Sequence, residues 1–286
     1  MRFKPAFLLP VLLLAISAVT QAQTLRHLQA LTHARTQTQA QVATGAGTAL
    51  KIRPNTTDCA VTFDNALPKF CVTQNGNIED FEFPDGFNQI FTEGYGICDE
   101  TATETSYFDV GTRDSGNWLP GVITAGGANN KLPLTITRNT ADGIWTITQT
   151  FTRNTMDEYV KAQITLKNNT AVTRFVEITR YVDIDADEIS ADNFFQGISN
   201  SAFGFLSLNE NFPNHGLLVH ALASPHNYFG FNVPAGDVDP CNFTNNDVIN
   251  PTNGDEAVMY MWIPNGGTGV VPAKKSIKFV LEYRAM

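Results

Sequence analysis

The sequence predicts an all-β fold, a large antiparallel β-sandwich of roughly ten or more strands with little helix. Three observations predict it. Several segments alternate apolar and polar residues with a period of two, as strands do when one side is buried. Turn residues such as Asp142-Gly143 separate these segments. No convincing amphipathic helical period follows residue 35.

The longest of these patterns is residues 159–188, and we expect the rest of the chain to be organised around it. Its first part alternates polar residues with the apolar face Val160, Ala162, Ile164 and Leu166. Its second part, residues 172–185, is rich in β-branched and aromatic residues. At about 3.3 Å per residue this strand would span roughly 45 Å. The polar residues 167–170 are predicted to join the two strands as a long hairpin.

The N-terminus has the features of a secretion signal peptide, which we place at residues 1–22. Arg2 and Lys4 precede an apolar stretch, and small residues allow cleavage after Ala22. No later stretch approaches the ~18 consecutive apolar residues that suggest a membrane span, so none is expected. The sequence therefore predicts a secreted or periplasmic protein.

Two regions follow the predicted signal peptide. Residues 23–49 are rich in Gln, Thr and Ala and are expected to form a flexible or partly helical lead. Residues 50–286 are expected to form a single β-sandwich domain. Its predicted strand pairs include 132–140 with 143–155 and 201–208 with 215–223.

The charge balance argues against one class of partner. Removal of the signal peptide takes away Arg2 and Lys4 and no acidic residue, so the formal net charge falls from −9 to −11. Phosphate groups are bound by clustered Lys and Arg, and the chain has no basic run. Nucleic acid and anionic membranes are therefore not expected as partners.

The mature chain contains four cysteines, Cys59, Cys71, Cys98 and Cys241. An even number in an exported chain predicts two disulfides rather than free thiols or a metal site. Three pairings are possible. Cys59–Cys71 with Cys98–Cys241 is preferred because the first pair encloses a short loop, although sequence alone does not decide among the three.

One part of the chain, residues 145–187, resembles a known group of proteins. ITQTFTRN followed by ITLKNNTAVTRFVEITRYVDIDAD is similar to a pattern in uncharacterised exported bacterial proteins with large β-sandwich domains. It also distantly resembles the supersandwich architecture of galactose mutarotases and related carbohydrate-active domains. The resemblance implies that fold. No catalytic motif of those families matches this chain, so no site residue is carried over.

The second strand of the central pattern carries candidate catalytic residues. Glu177, Tyr181 and Asp183 fall on one of its faces. Such a row is able to line a cleft, with a carboxylate as acid or base and Arg180 binding sugar hydroxyls or carboxylates. Under this hypothesis Glu177, Tyr181 and His220 are the catalytic candidates. The alternative is an ordinary exposed face on which Arg180 pairs with a neighbouring acid.

An acidic run at residues 183–188 suggests a metal site. On an extended strand Asp183, Asp185 and Asp187 project to the same side, and clustered carboxylate oxygens suit calcium. The run departs from an EF-hand loop, since Glu188 stands where Gly is required. The alternative is a solvated acidic strand end.

The histidines His215, His220 and His226 do not have the spacing of a metal motif. Neutral, hydrogen-bonded side chains are therefore the default expectation for them, and metal binding or acid–base work is the alternative.

Among the tryptophans, Trp118 lies in a Gly-rich stretch and is the best candidate for an exposed contact with a sugar ring. Core positions are expected for Trp145 and Trp262, which lie within predicted strands.

Two functional hypotheses follow. The first is a non-enzymatic, exported binding or structural β-sandwich protein, whose partner is a carbohydrate or another cell-surface component and whose fold is stabilised by calcium. It rests on the failure to assemble a complete catalytic constellation. The second is a carbohydrate-active enzyme (a lyase, epimerase or hydrolase) with its cleft on the long central strand.

Overall fold

The protein is described by a computed structural model, in which the described residues all belong to one compact unit, Leu50–Met286. They are 59–128, 131–188, 193–198, 201–206, 215–222, 227–234, 236–242, 252–254, 256–264 and 268–286. The predicted signal peptide, the predicted lead and His226 lie outside them.

The described residues are almost entirely β-structure. In chain order the strands are β1 (Cys59–Phe63), β2 (Lys69–Thr73), β3 (Ile78–Glu82), β4 (Thr92–Asp99), β5 (Thr105–Val110), β6 (Arg113–Asp114), β7 (Val122–Ala125), β8 (Leu134–Asn139), β9 (Trp145–Asn154), β10 (Tyr159–Asn168), β11 (Arg174–Asp183), β12 (Asn193–Ile198), β13 (Ser201–Leu206), β14 (Gly216–Ala221), β15 (Asn227–Pro234), β16 (Thr252–Gly254), β17 (Glu256–Ile263), β18 (Val270–Val271) and β19 (Ser276–Ala285). A short 3-10 turn, Ala186–Glu188, follows β11.

These strands form three antiparallel sheets, which confirms the predicted all-β sandwich. A nine-stranded sheet has the order β16-β12-β13-β14-β19-β10-β9-β8-β7. A seven-stranded sheet has the path β15-β17-β11-β4-β5-β6, with β18 paired to β11. Strands β1, β2 and β3 form a separate three-stranded sheet.

One continuous core unites the three sheets. It includes Ile164 of β10, Ile178 of β11 and Phe70 of β2. The rings of Trp262 and Phe279, which belong to the seven- and nine-stranded sheets, lie 4.6 Å apart between centroids. Burial of such apolar surface is the main favourable term in folding.

The predicted central hairpin is wrong. Strand β10 pairs with β9 and β19, whereas β11 pairs with β4 and β17, so the two strands belong to different sheets. The polar segment after β10 is a corner that carries the chain across the sandwich. Asn168 is buried there, and its Nδ2 donates to the carbonyl oxygens of Val172 (2.8 Å) and Val271 (3.1 Å). The second strand is also shorter than predicted, at Arg174–Asp183.

Two other predicted pairs are confirmed. β8 pairs with β9 through the turn at Asp142-Gly143, where Gly143 has a φ of 72° and the Thr140 N–H donates to the Trp145 carbonyl at 3.0 Å. β13 pairs with β14. Trp145 and Trp262 are buried in the core, as expected.

The two disulfides form with the preferred pairing. Cys59–Cys71 joins β1 to β2, and Cys98–Cys241 joins β4 to the segment that follows β15. No helix in the described part of the chain is long and apolar enough to span a membrane.

Candidate functional site

The outer face of β11 is covered and does not form an open cleft. Tyr181 is 1% exposed and belongs to an apolar cluster with Val233, Met259 and other residues of neighbouring strands. Its hydroxyl oxygen accepts a hydrogen bond from the Gly236 N–H at 2.8 Å. The described residues therefore show no cleft at Tyr181, because strands β15 and β17 and the segment after β15 supply apolar side chains that cover this part of the face.

The three candidate catalytic residues do not come together. Glu177 and Tyr181 lie on the outer face of β11 in the seven-stranded sheet. His220 lies on β14 of the nine-stranded sheet, and its neighbours Val219 and Ala221 point into the core, so His220 points away from it. The two groups are thus on opposite outer faces of the sandwich.

Glu177 is nevertheless perturbed. Burial, and to a smaller extent the nearby charges of Glu100 and Glu104, raise the pKa of this carboxyl from its ordinary value to about 7. The folded state therefore favours the neutral form of Glu177.

This shift predicts a pH-dependent stability. Because the pKa of Glu177 is higher in the folded than in the unfolded chain, its favourable contribution is present near pH 4.5 and is lost as pH rises through about 7. We expect Glu177→Gln to gain stability relative to the wild type between pH 5 and pH 8, by up to about 3 kcal/mol. Urea unfolding of the wild type and Glu177→Gln at pH 5 and pH 8 measures this difference in stability. The same change in unfolding free energy with pH in both proteins would contradict the prediction.

The two predicted ligand-binding residues are both buried. Trp118 is 1% exposed, so the prediction of an exposed contact is wrong; it forms an isolated bridge with Thr140 and packs edge-on against Tyr95. Arg180 is 0% exposed and forms an ion pair with Glu93 inside the sandwich. Of the two readings of Arg180, pairing with an acid is therefore the one observed, although the pair is interior rather than on an exposed face.

The three candidate calcium ligands do not converge. Asp183 ends β11, Asp185 is buried, and Asp187 lies in the 3-10 turn, where the strand alternation no longer applies. Among the described residues, the only group of three potential ligand atoms within 4.8 Å of one another involves Cys98 and Cys241, which are disulfide-bonded. Calcium binding stays a prediction, and these three carboxylates do not form a shared site in this structure.

Asp187 instead forms a pair with His215. Asp187 and Glu188 have φ angles of 58° and 63°, a left-handed conformation that residues other than Gly rarely adopt and that costs of order 1 kcal/mol or more each. The Glu188 N–H donates to the carbonyls of Asp185 (2.9 Å) and Asn88 (3.3 Å), which ties the turn to the loop 83–91. In this conformation the two carboxylate oxygens of Asp187 lie 2.9 and 3.0 Å from His215 Nδ1.

The contact between Asp187 and His215 determines which ring nitrogen of His215 is able to contact a ligand. An ionised carboxylate only accepts hydrogen bonds, so Nδ1 of His215 is the donor. No described residue hydrogen-bonds to Nε2, which is left as the nitrogen able to contact a ligand. The side chains of His215 and Asp187 are 13% and 10% exposed.

The loop 83–91 supplies the second half of the site. Gln89 is fully buried, and its Nε2 donates to Asp187 Oδ1 at 2.9 Å and to the carbonyls of Phe83 and Phe87 at 3.2 and 3.1 Å. Three acceptors around Nε2 define the orientation of the amide. Gln89 Oε1 has no hydrogen-bond partner among the described residues.

An exposed aromatic ring completes the arrangement. Phe87 packs edge-on against His215, with 5.4 Å between ring centroids, and remains 44% exposed. Its position follows from the turn at Pro84-Asp85-Gly86, in which the Phe87 N–H donates to the Pro84 carbonyl at 3.1 Å and Gly86 has a φ of 81°. Farther along the loop Phe91 is 68% exposed.

The surface beside this site is acidic. Burial and the nearby charges of Glu82 and Glu188, opposed by that of Lys69, raise the pKa of Asp80 from its ordinary value to about 6. Asp80 therefore changes charge in mildly acidic solution.

We call Gln89, Phe87, Asp187 and His215 the Asp187 site. It combines a carboxylate–imidazole pair, an imidazole nitrogen to which no described residue hydrogen-bonds, and an exposed apolar ring. The sequence pattern marks Asp187 as a candidate metal ligand and His215 as one of three histidines, but does not connect them. Gln89 was not predicted and the sequence offers no signal for it, because a residue 98 positions away from Asp187 becomes its partner only on folding.

Comparison with known proteins shows the fold only. No family model matches the chain, and no curated protein matches it. The solved structure of a bacterial glucoamylase complexed with acarbose is similar over 85% of this chain and 34% of its own, with 6% identity and a TM-score of 0.56. The chain thus spans about a third of the length of that glucoamylase. A putative aldose 1-epimerase from Escherichia coli K12 aligns over 79% of this chain and 98% of its own, with 13% identity and a TM-score of 0.45.

Proposed function

We propose that this protein is an exported carbohydrate-binding protein and that the Asp187 site is its binding surface. The observation that carries the proposal is the Asp187–His215 pair beside the exposed ring of Phe87. Export is supported by the two disulfides, which persist in oxidising compartments.

The chemistry of the site suits a sugar ring. A pyranose has an apolar face of C–H groups, which a half-exposed aromatic ring such as Phe87 is able to cover. It also has hydroxyls that donate and accept hydrogen bonds. Nε2 of a neutral His215 accepts a hydrogen bond from a hydroxyl, and Nε2 of a protonated His215 donates one to it. Ligand sites commonly combine an apolar surface with a few well-placed polar groups.

A specific observation favours a second candidate, a carbohydrate-active enzyme. A histidine whose Nδ1 is held by a carboxylate is oriented to take or give a proton at Nε2, which is the arrangement of an acid–base pair. In that case Asp187 positions the imidazole and His215 is the acid or base. Binding is proposed first because the described hydrogen bonds of Asp187 and His215 include no second acid and no nucleophile.

The test follows retention and product release together on immobilised neutral and acidic polysaccharides. We expect the wild type to be retained on at least one of them, and Phe87→Ala and His215→Ala to weaken retention at least about tenfold, as loss of a central contact does. The matched control is Phe175→Ala. Phe175 is 45% exposed but lies at the opposite end of β11 from the turn that holds Asp187.

The outcomes separate the hypotheses. Retention without new sugar ends supports the binding protein, whereas new reducing ends or unsaturated products that disappear in His215→Ala support the enzyme. Equal retention of Phe87→Ala and Phe175→Ala, or no retention of the wild type, contradicts the proposed site. Loss of retention in chelator would support calcium as a stabilising ion.

A further inference from the structure

The turn between β2 and β3 is inserted between the two large sheets. We call its residues 74–77 (Gln-Asn-Gly-Asn) the plug. Around it lie buried polar groups of both sheets, which we call the interior pocket: Glu93, Tyr95, Asp109, Arg138, Gln149 and Arg180. Each of these six residues is 2% exposed or less.

The plug donates hydrogen bonds to the carboxylates of the pocket. Asn75 Nδ2 donates to Asp109 Oδ2 at 2.9 Å, and Asn77 Nδ2 donates to Asp109 Oδ1 at 2.7 Å. The N–H of Ile78, which follows the plug, donates to Glu93 Oε2 at 2.7 Å.

The plug also accepts hydrogen bonds from the cationic and neutral donors of the pocket. The Asn75 carbonyl accepts from Tyr95 Oη at 3.0 Å and from Gln149 Nε2 at 3.2 Å. The Gly76 carbonyl accepts from Arg180 at 3.2 Å. Donors and acceptors of the pocket thus surround residues 75–78, whereas Gln74 is exposed.

The pocket itself belongs to the sheets. Arg138 pairs with Asp109 and, at 2.8 Å, with Asp114, while Arg180 pairs with Glu93. Buried ion pairs contribute little net stability, because apolar residues of similar volume often stabilise a fold equally well or better. Two such pairs facing one inserted turn therefore suggest a recognition role for the polar groups.

We propose that the interior pocket is a binding site for a small neutral sugar and that the plug occupies it in the closed state. Neutral sugar hydroxyls both donate and accept, so they match carboxylates on one side and Arg, Gln and Tyr donors on the other. Trp118 and Tyr95 form an aromatic wall, with 5.5 Å between their ring centroids. The guanidinium carbon of Arg138 lies 5.2 Å from the centroid of the Trp118 ring.

With the plug inserted, two buried polar atoms lack a hydrogen-bond partner among the described residues, one on the plug itself and one on the aromatic wall. Asn77 Oδ1 and Trp118 Nε1 are buried and have no hydrogen-bond partner within the described part of the chain, and both residues are 1% exposed. Unpaired buried polar atoms are costly and rare. The residue after Ile78 is also irregular: β3 has a bulge at Glu79, and bulges often re-aim a side chain beside a functional site.

Gly76 provides the test. Its φ is 93°, and a Cβ atom there would lie 2.1 Å from Gln149 Nε2, so Gly76→Ala disfavours insertion of the plug. The matched control is Gly143→Ala, which has a φ of 72° and no atom within 4 Å of the added Cβ. Both changes are made in a His215→Ala background, so that the Asp187 site does not contribute and the two proposals fail separately.

The probes are glucose, galactose, mannose and maltose, titrated by calorimetry, together with amide hydrogen exchange of residues 74–78. We expect Gly76→Ala to accelerate this exchange and to bind at least one probe at least tenfold more tightly than its background, because the closed state is penalised. Gly143→Ala should change neither. Addition of Asp109→Asn should remove the gain.

Faster exchange without a gain in affinity for any of the four probes would overturn the proposal, as would a gain that Asp109→Asn leaves intact. If Gly76→Ala does not fold, Asn77→Ala replaces it. That variant removes the 2.7 Å hydrogen bond to Asp109 without steric conflict, and the same results are expected.

Discussion

Loss of the Cys98–Cys241 disulfide is expected to lower the free energy of unfolding by about 5 kcal/mol, whereas loss of Cys59–Cys71 is expected to cost about 3 kcal/mol. The reason is the size of the loop that each bond closes in the unfolded chain. The sequence separations are 143 and 12 residues, and a longer loop loses more entropy when it is closed.

The Cys98–Cys241 disulfide also holds the segment after β15 against the outer face of β11. Asp239, two residues before Cys241, accepts hydrogen bonds from Ser106 Oγ at 2.6 Å and from the Cys241 N–H at 2.9 Å. Nearby Gly236 is bonded to the Tyr181 hydroxyl. We therefore expect the outer face of β11 to become more accessible when this disulfide is removed.

The measurement is urea unfolding of two double variants, Cys98→Ala with Cys241→Ala and Cys59→Ala with Cys71→Ala, beside the oxidised wild type. Hydrogen exchange of β11 reports on the accessibility of its outer face. A larger loss in the Cys59–Cys71 variant, or equal losses in both, would contradict the loop-size argument.

Replacement of Arg180 by an apolar residue is the second large effect. Arg180→Met is expected to cost about 3–5 kcal/mol, because it leaves Glu93 charged and buried without its partner. The network is extensive: Arg180 Nε donates to Tyr283 Oη at 2.7 Å, and Tyr283 Oη donates to Glu93 Oε1 at 2.7 Å. Arg180 also donates to Gln149 Oε1.

The double variant Arg180→Met with Glu93→Leu serves as the control for this experiment. Because no charge is left unpaired, we expect it to recover most of the lost stability, although Tyr283 then lacks its partners. Chemical unfolding of the wild type, Arg180→Met and the double variant measures the loss and its recovery. A cost below about 1 kcal/mol for the single variant would mean that solvent reaches Glu93.

Local patterns predicted individual strands well. The alternation at residues 159–167 is a strand in which Val160, Ala162 and Ile164 are buried and Lys161 and Gln163 are half-buried. The Asp142-Gly143 turn joins β8 to β9 as predicted. These features depend on neighbours within a few residues, which is the range over which strand period and turn chemistry act.

The candidate site was much harder to predict, because its members come from three distant segments. Asp187 and His215 were both noticed, for different reasons, yet their contact depends on a left-handed turn after β11 and on where β14 begins. Exposure was misjudged for Trp118 and Arg180. A Gly-rich loop or an alternating strand pattern does not indicate which other segments of the chain will bury its side chains.

The sequence by itself determined the class of fold, the strand-forming segments and the expectation of two disulfides, since periodicity, turn residues and the even number of cysteines carry that information. Only the tertiary structure decided which strands pair, and it placed β10 and β11 in different sheets. It also buried both faces of β11, brought Asp187 to His215 and inserted residues 74–77 between the sheets. The physical reason is that strand pairing and burial are set by contacts between residues far apart in the chain, and a local sequence pattern carries no information about those contacts.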